Sequence, residues 1–93
     1  MADSVSFKVV LKEENELRRF MVDKEVSTSF SNLKEKLCLV FPQLKQKIFS
    51  ISWIDEDGDM VTISTDEELI IALTEMAGPV YKLSVNITNK KKT

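Results

Sequence analysis

From Val5 to Leu11 the side chains alternate, with Val5, Phe7, Val9 and Leu11 on one side and Ser6, Lys8 and Val10 on the other. That period of two predicts a half-buried strand with Lys8 facing outward. Glu13-Glu14-Asn15-Glu16 is a polar turn, and Leu17 to Val22 resumes as the return limb of a hairpin. The second strand has two phases open to it. One buries Arg19 in mid-strand between Leu17 and Met21 at high desolvation cost; the other turns Phe20 and Val22 inward and leaves Arg19 outside. The second phase is expected. It turns Arg18 inward near the strand's start, where a long side chain keeps its charged end in water, and it sets Lys8 and Arg19 on a common face.

Ser27-Thr28-Ser29 offers an N-cap for an amphipathic helix whose apolar stripe is Phe30, Leu33, Leu37, Val40, Phe41 and Leu44, with Pro42 near its end. Ile48 to Ile54 reads as a third strand, and Met60 to Ile63 as a short fourth, reached through a tight turn at Gly58. Thr65 and Glu68 have the spacing of a capping box, so a second helix begins at Asp66 and turns Leu69, Ala72, Leu73 and Met76 inward until Gly78-Pro79 stops it. Val80 to Ile87 alternates as a last strand, and residues 89–93 read as a basic tail or the start of a linker. The order strand, strand, helix, strand, strand, helix, strand implies an α+β fold: a mixed five-strand sheet with two helices on one face, a ubiquitin-like β-grasp roll. That topology hosts many functions and settles none.

With 93 residues, 43% hydrophobic and 30% charged, the chain has the composition of one globular domain with a small core. No apolar run approaches the ~20 residues that cross a bilayer, so no membrane role is expected. One cysteine, Cys38, and a polar start, Ala2-Asp3-Ser4, lead to the expectation of a reducing, cytoplasmic setting. The net charge of -2 hides a split: residues 1–47 hold nine Lys/Arg against seven Asp/Glu, and residues 48–93 hold four against eight.

The acids concentrate in Trp53-Ile-Asp-Glu-Asp-Gly-Asp-Met60 and Ser64-Thr-Asp-Glu-Glu-Leu69, which place seven carboxylates between Asp55 and Glu68. Asp55, Asp57 and Asp59 mimic positions 1, 3 and 5 of an EF-hand calcium loop, but Met60 stands where glycine is required and Asp66 where the bidentate glutamate belongs. No metal or other cofactor is expected. Without histidine, and with no base evident beside Cys38, no reaction class is supported; the cysteine reads as a small core residue. The acidic half repels phosphate, so a nucleic-acid role is not expected either. Complementing a helix dipole accounts for Asp66, Glu67 and Glu68. It leaves Asp55, Glu56, Asp57 and Asp59, crowded within a Debye length of ~8 Å, in need of a cationic partner surface.

These two segments resemble the acidic OPCA signature of the PB-one (Phox and Bem one) domains, and the resemblance extends from Val5 to about Ile87. Within that family an acidic face on one domain docks on a basic face of another. Lys8 in Phe7-Lys8-Val9 is similar to the family's first-strand lysine, and Arg18-Arg19-Phe20 to its basic second strand. The resemblance therefore implies one PB-one domain over residues 4–88, with Lys8, Arg18 and Arg19 as the basic face. Asp55, Glu56, Asp57, Asp59, Asp66, Glu67 and Glu68 form the implied acidic face. Carrying both faces resembles the two-faced subclass that chains head to tail, and most of all the branch found in selective-autophagy receptors of the sequestosome kind. The implied function is a self-associating, non-enzymatic scaffold module whose partners are itself and other PB-one domains, with no small-molecule substrate. The alternative is a one-partner adaptor that pairs with a kinase domain such as that of atypical protein kinase C, whose domains share the Trp53-Ile-Asp-Glu stretch.

Overall fold

The computed structural model describes residues 3–88, so the tail expected at 89–93 lies outside it. Strands β1 (Ser4–Leu11) and β2 (Glu16–Asp23) form the first hairpin, followed by helix α1 (Phe30–Val40), strands β3 (Phe49–Ile54) and β4 (Met60–Ile63), helix α2 (Asp66–Met76) and strand β5 (Val80–Ile87). The sheet order is β2-β1-β5-β3-β4. β1 and β5 run parallel and every other pairing is antiparallel, so the sheet is mixed as expected.

Strand alternation decides the two sheet faces. Phe7, Val9 and Leu11 are fully buried, and they join Ile51, Trp53, Ile63, Leu83 and Val85 beneath the helices, which contribute Leu33, Leu37, Leu69 and Ala72. The phase expected for β2 is the one observed: Val22 is buried, Phe20 is half-buried with its ring stacked 5.7 Å from Phe7, and Arg19 is exposed. The opposite face of the sheet carries no helix and shows Lys8, Val10, Leu17, Arg19 and Lys82 outward.

The first helix is shorter than its apolar stripe suggests. It ends at Val40, Phe41 leaves helical geometry at φ -119° and ψ 84°, and Pro42–Gln46 forms a separate 3-10 turn that carries Leu44 into the core. The cause is local, because a proline disfavours the helical region in the residue before it. Ser29 caps the helix by accepting from the Asn32 N–H at 3.3 Å. The polar turn between β1 and β2 is a 3-10 turn over Lys12–Glu14 closed by Asn15 in the left-handed region at φ 51°, and the Glu13 carboxylate accepts the Ile87 N–H at 3.0 Å. Cys38 is half-buried against the core. Among the described residues no helix is long and apolar enough to cross a membrane.

Leu37 is fully buried between helix and sheet. Leu37→Ala is expected to cost about 2–5 kcal/mol, read as a lower urea midpoint with an unchanged slope; a loss below about 1 kcal/mol would remove Leu37 from the core.

Candidate functional site

The turn joining β3 to β4 is built on one carboxylate. Asp55 Oδ1 accepts the N–H groups of Asp57 and Asp59, each at 3.0 Å, while the Asp55 N–H donates to the Asp59 carbonyl at 3.0 Å and the Gly58 N–H to the Asp55 carbonyl at 2.9 Å. Gly58 sits at φ +85° with open space where a Cβ would be, so glycine is needed there for its backbone conformation and not for room. Asp55 is half-buried, and Glu56, Asp57 and Asp59 are exposed. Carboxylate oxygens of Asp55, Asp57 and Asp59 lie within 4.8 Å of one another. That is three donors on one turn, short of the six to eight oxygens that calcium takes.

The start of α2 continues the acidic margin. Thr65 Oγ1 accepts the Glu68 N–H at 3.1 Å, which is half of the expected capping box. The reciprocal half falls one residue earlier, for Glu68 Oε1 accepts both the N–H and the hydroxyl of Ser64, at 2.6 and 2.9 Å. Ser64 offers two donors where the Thr65 amide offers one. The bond from the Ser64 amide, then that from its hydroxyl, holds the Glu68 carboxyl below the usual carboxylate range. Asp66 Oδ1 accepts the Phe30 N–H at 2.7 Å and so ties the first turn of α1 to that of α2. Of the seven acids, Asp55, Asp66 and Glu68 hold backbone in place. The side chains of Glu56, Asp57, Asp59 and Glu67 make no hydrogen bond or ion pair to another described residue.

The basic residues divide differently from the sequence expectation. Lys8 lies directly opposite Arg19 of β2 and directly beside Lys82 of β5, so the three form one row across three strands on the helix-free face. None of the three has an ion pair among the described residues. Arg18 is set apart: it pairs with Val9 on the other face and binds Glu16, Nη2 to Oε2 at 2.7 Å and Nε to Oε2 at 2.8 Å. The Arg18 guanidinium, aided by Gln43, holds the Glu16 carboxyl below its ordinary value against the opposing effect of desolvation. Lys82 lies outside the basic face expected from the sequence. Alternation along β5 places it outward, but only the parallel pairing of β5 with β1 puts it beside Lys8.

β2 is one edge of the sheet and the β3–β4 hairpin is the other. Four inter-strand steps of about 4.8 Å separate them, roughly 19 Å. A ubiquitin-like roll with a basic row across three adjacent strands and an acidic turn at the β3–β4 margin defines a class of module that meets other proteins through charged faces. The PB1 (Phox and Bem one) family profile matches residues 4–88, and the chain belongs to the PB1 domain family. It is thus a protein–protein interaction module. Protein JOKA2 of Solanum tuberosum is 32% identical over 72 residues, which make up 74% of this chain and 8% of that protein; the chain spans a small fraction of this curated relative. The solved AtNBR1-PB1 domain superposes with a TM-score of 0.72 at 26% identity, over 92% of this chain and 99% of the other. The cryo-EM structure of an AtNBR1-PB1 filament of the L type gives 0.65 at 26% identity, over 96% of this chain and 100% of the other.

Because Glu68 has a depressed pKa in the folded state, its contribution to stability is complete above the ordinary glutamate value of 4.5 and is lost as pH falls through the lower folded value. Glu68→Gln keeps an acceptor for Ser64 but removes the charge. Urea unfolding across the acid range should therefore fall less steeply with pH in Glu68→Gln than in the parent; identical slopes would show that the carboxylate carries no folding-linked proton.

Proposed function

We propose that this domain assembles head to tail, the acidic turn of one copy docking on the basic row of the next, as the oligomerisation module of a cytoplasmic scaffold in selective autophagy or signalling. The observation that carries this reading is the pair of uncompensated charge clusters on one sheet, a basic row across β2, β1 and β5 and an acidic turn at the end of the β3–β4 hairpin. Lys8, Arg19 and Lys82 stand in direct cross-strand register without a counter-charge, an arrangement that is unfavourable in an isolated molecule. Glu56, Asp57 and Asp59 repel one another at the far edge in the same way. Each cluster is relieved when the acidic turn of one copy meets the basic row of another.

Two distinct complementary patches make a heterologous contact, which propagates unless it closes into a ring. The similarity to a PB1 domain solved as a filament supports propagation. Charge pairs desolvated at an interface couple by about 1.5 kcal/mol or more, so several together support a micromolar contact near -8 kcal/mol. Asp57 and Asp59 on Lys8, Arg19 and Lys82 are the central pairs in this reading. Arg18, Asp55, Asp66 and Glu68, already bound within the chain, hold the surfaces in shape, and Glu56 and Glu67 flank them.

Sedimentation velocity is expected to find oligomers that grow with concentration and dissociate as salt rises. Arg19→Glu keeps only the acidic face and Asp57→Arg only the basic one, so each alone should be monomeric. Mixed, they should form a one-to-one heterodimer. A parent that stays monomeric at every concentration, or two folded variants that do not pair, would overturn the head-to-tail assignment.

A further inference from the structure

The open face of the sheet is hollow. A groove of about 500 Å³ is lined by Lys8 and Lys82 together with Val10, Leu17, Ile54 and Val80, and the end of α2 adds Met76 at its border. Such a lining asks for an occupant that brings carboxylates and an apolar side chain at once: charge alone would leave the aliphatic lining wet, and an apolar group alone would leave two ammonium groups unpaired. The acidic turn has this composition. Asp57 and Asp59 are exposed, and Met60 follows directly, 49% exposed although it is a large apolar residue. Met60 pairs across the hairpin with Ile54, which stands at the β3 end of the groove, but Met60 itself is not among the residues that line the groove of its own chain. The hydrogen bonds centred on Asp55 fix the turn, so it does not fold back.

We infer that the groove of one copy is the socket for Met60 of the next, with Asp57 and Asp59 of that copy on Lys8 and Lys82, so that the contact has an apolar anchor and discriminates among acidic partners by the residue that ends the turn. The inference rests on the head-to-tail reading and adds to it a partner requirement that charge complementarity alone does not impose. Methionine suits the role, since its unbranched thioether fills an irregular apolar slot. Leu17, 57% exposed at the mouth of the groove, is the wall it packs against.

The capped pair Asp57→Arg and Arg19→Glu isolates one contact, and its affinity is measured by isothermal titration. Leu17→Ser is placed in the Asp57→Arg chain, which supplies the groove, and Met60→Ser in the Arg19→Glu chain, which supplies the turn. As controls, Met21→Ser goes into the first chain and Ile71→Ser into the second; these residues are 59% and 51% exposed, equally apolar, and outside both groove and turn. Leu17→Ser and Met60→Ser are each expected to weaken pairing about tenfold. Together they should cost clearly less than the product of the two, because they remove opposite sides of one contact. The controls should stay within about twofold, and the salt dependence of pairing should be unchanged, with circular dichroism matching the parent throughout. Losses no larger than the controls, or losses that multiply fully, overturn the socket while leaving the head-to-tail reading in place. If the capped pair does not associate even without further substitution, the head-to-tail reading falls and the socket falls with it.

Discussion

A parallel ladder between the first strand and the last holds the centre of this sheet, and the remaining elements take their places around it. Parallel neighbours cannot be joined by a tight turn, so the whole chain between β1 and β5 serves as their connection and supplies both helices and the second hairpin. With β1 and β5 in the middle, β2 is driven to one margin and β4 to the other. The register of the ladder sets Phe7, Val9, Leu83 and Val85 against the helices and Lys8 beside Lys82 on the open side. A slip of one residue would exchange those sets and bury the lysines. The packing requirement of the core thus fixes the position of the charges.

Charge in this domain serves two ends, and hydrogen bonding separates them. Asp55 organises a turn, Asp66 links two helix starts, Glu68 closes a cap and Arg18 is held by Glu16. These groups have their counterparts within the chain. Lys8, Arg19, Lys82, Asp57 and Asp59 are left without a counter-charge among the described residues. On the head-to-tail proposal these unanswered charges are the docking surface, carried on backbone that the sheet ladder and the hydrogen bonds of the Asp55 turn fix in place.

Much of this was legible along the chain because single positions forced single answers. Arg19 admits one strand phase, since the other buries a guanidinium in mid-strand. Thr65 marks the start of α2, and Gly58 the only residue in its turn at home at positive φ. What was not legible depended on neighbours remote in sequence. Lys82 joins the basic row only through the parallel pairing with β1, and Asp66 reaches Phe30 only because two helix starts meet. Arg18 and Arg19 look alike in composition; strand alternation turns Arg18 to the other face of the sheet, and only the structure shows that Glu16 neutralises it there. Leu44 keeps helical spacing although Pro42 has already ended the helix, because a 3-10 turn delivers it to the same side of the core.

The second strand is also an open sheet edge, eight residues long, with one row of backbone N–H and C=O groups facing away from β1. Long exposed edges are templates for cross-β growth between copies of a chain. Leu17, Phe20, Met21 and Val22 would make an adhesive segment if nothing interrupted them. The paired arginines in their midst put like charges wherever two such edges would meet in register, and β4 at the opposite margin is only four residues long. Charge in the middle of an exposed edge strand opposes edge-to-edge pairing, so loss of the arginine charge would carry a solubility cost separate from any loss of binding.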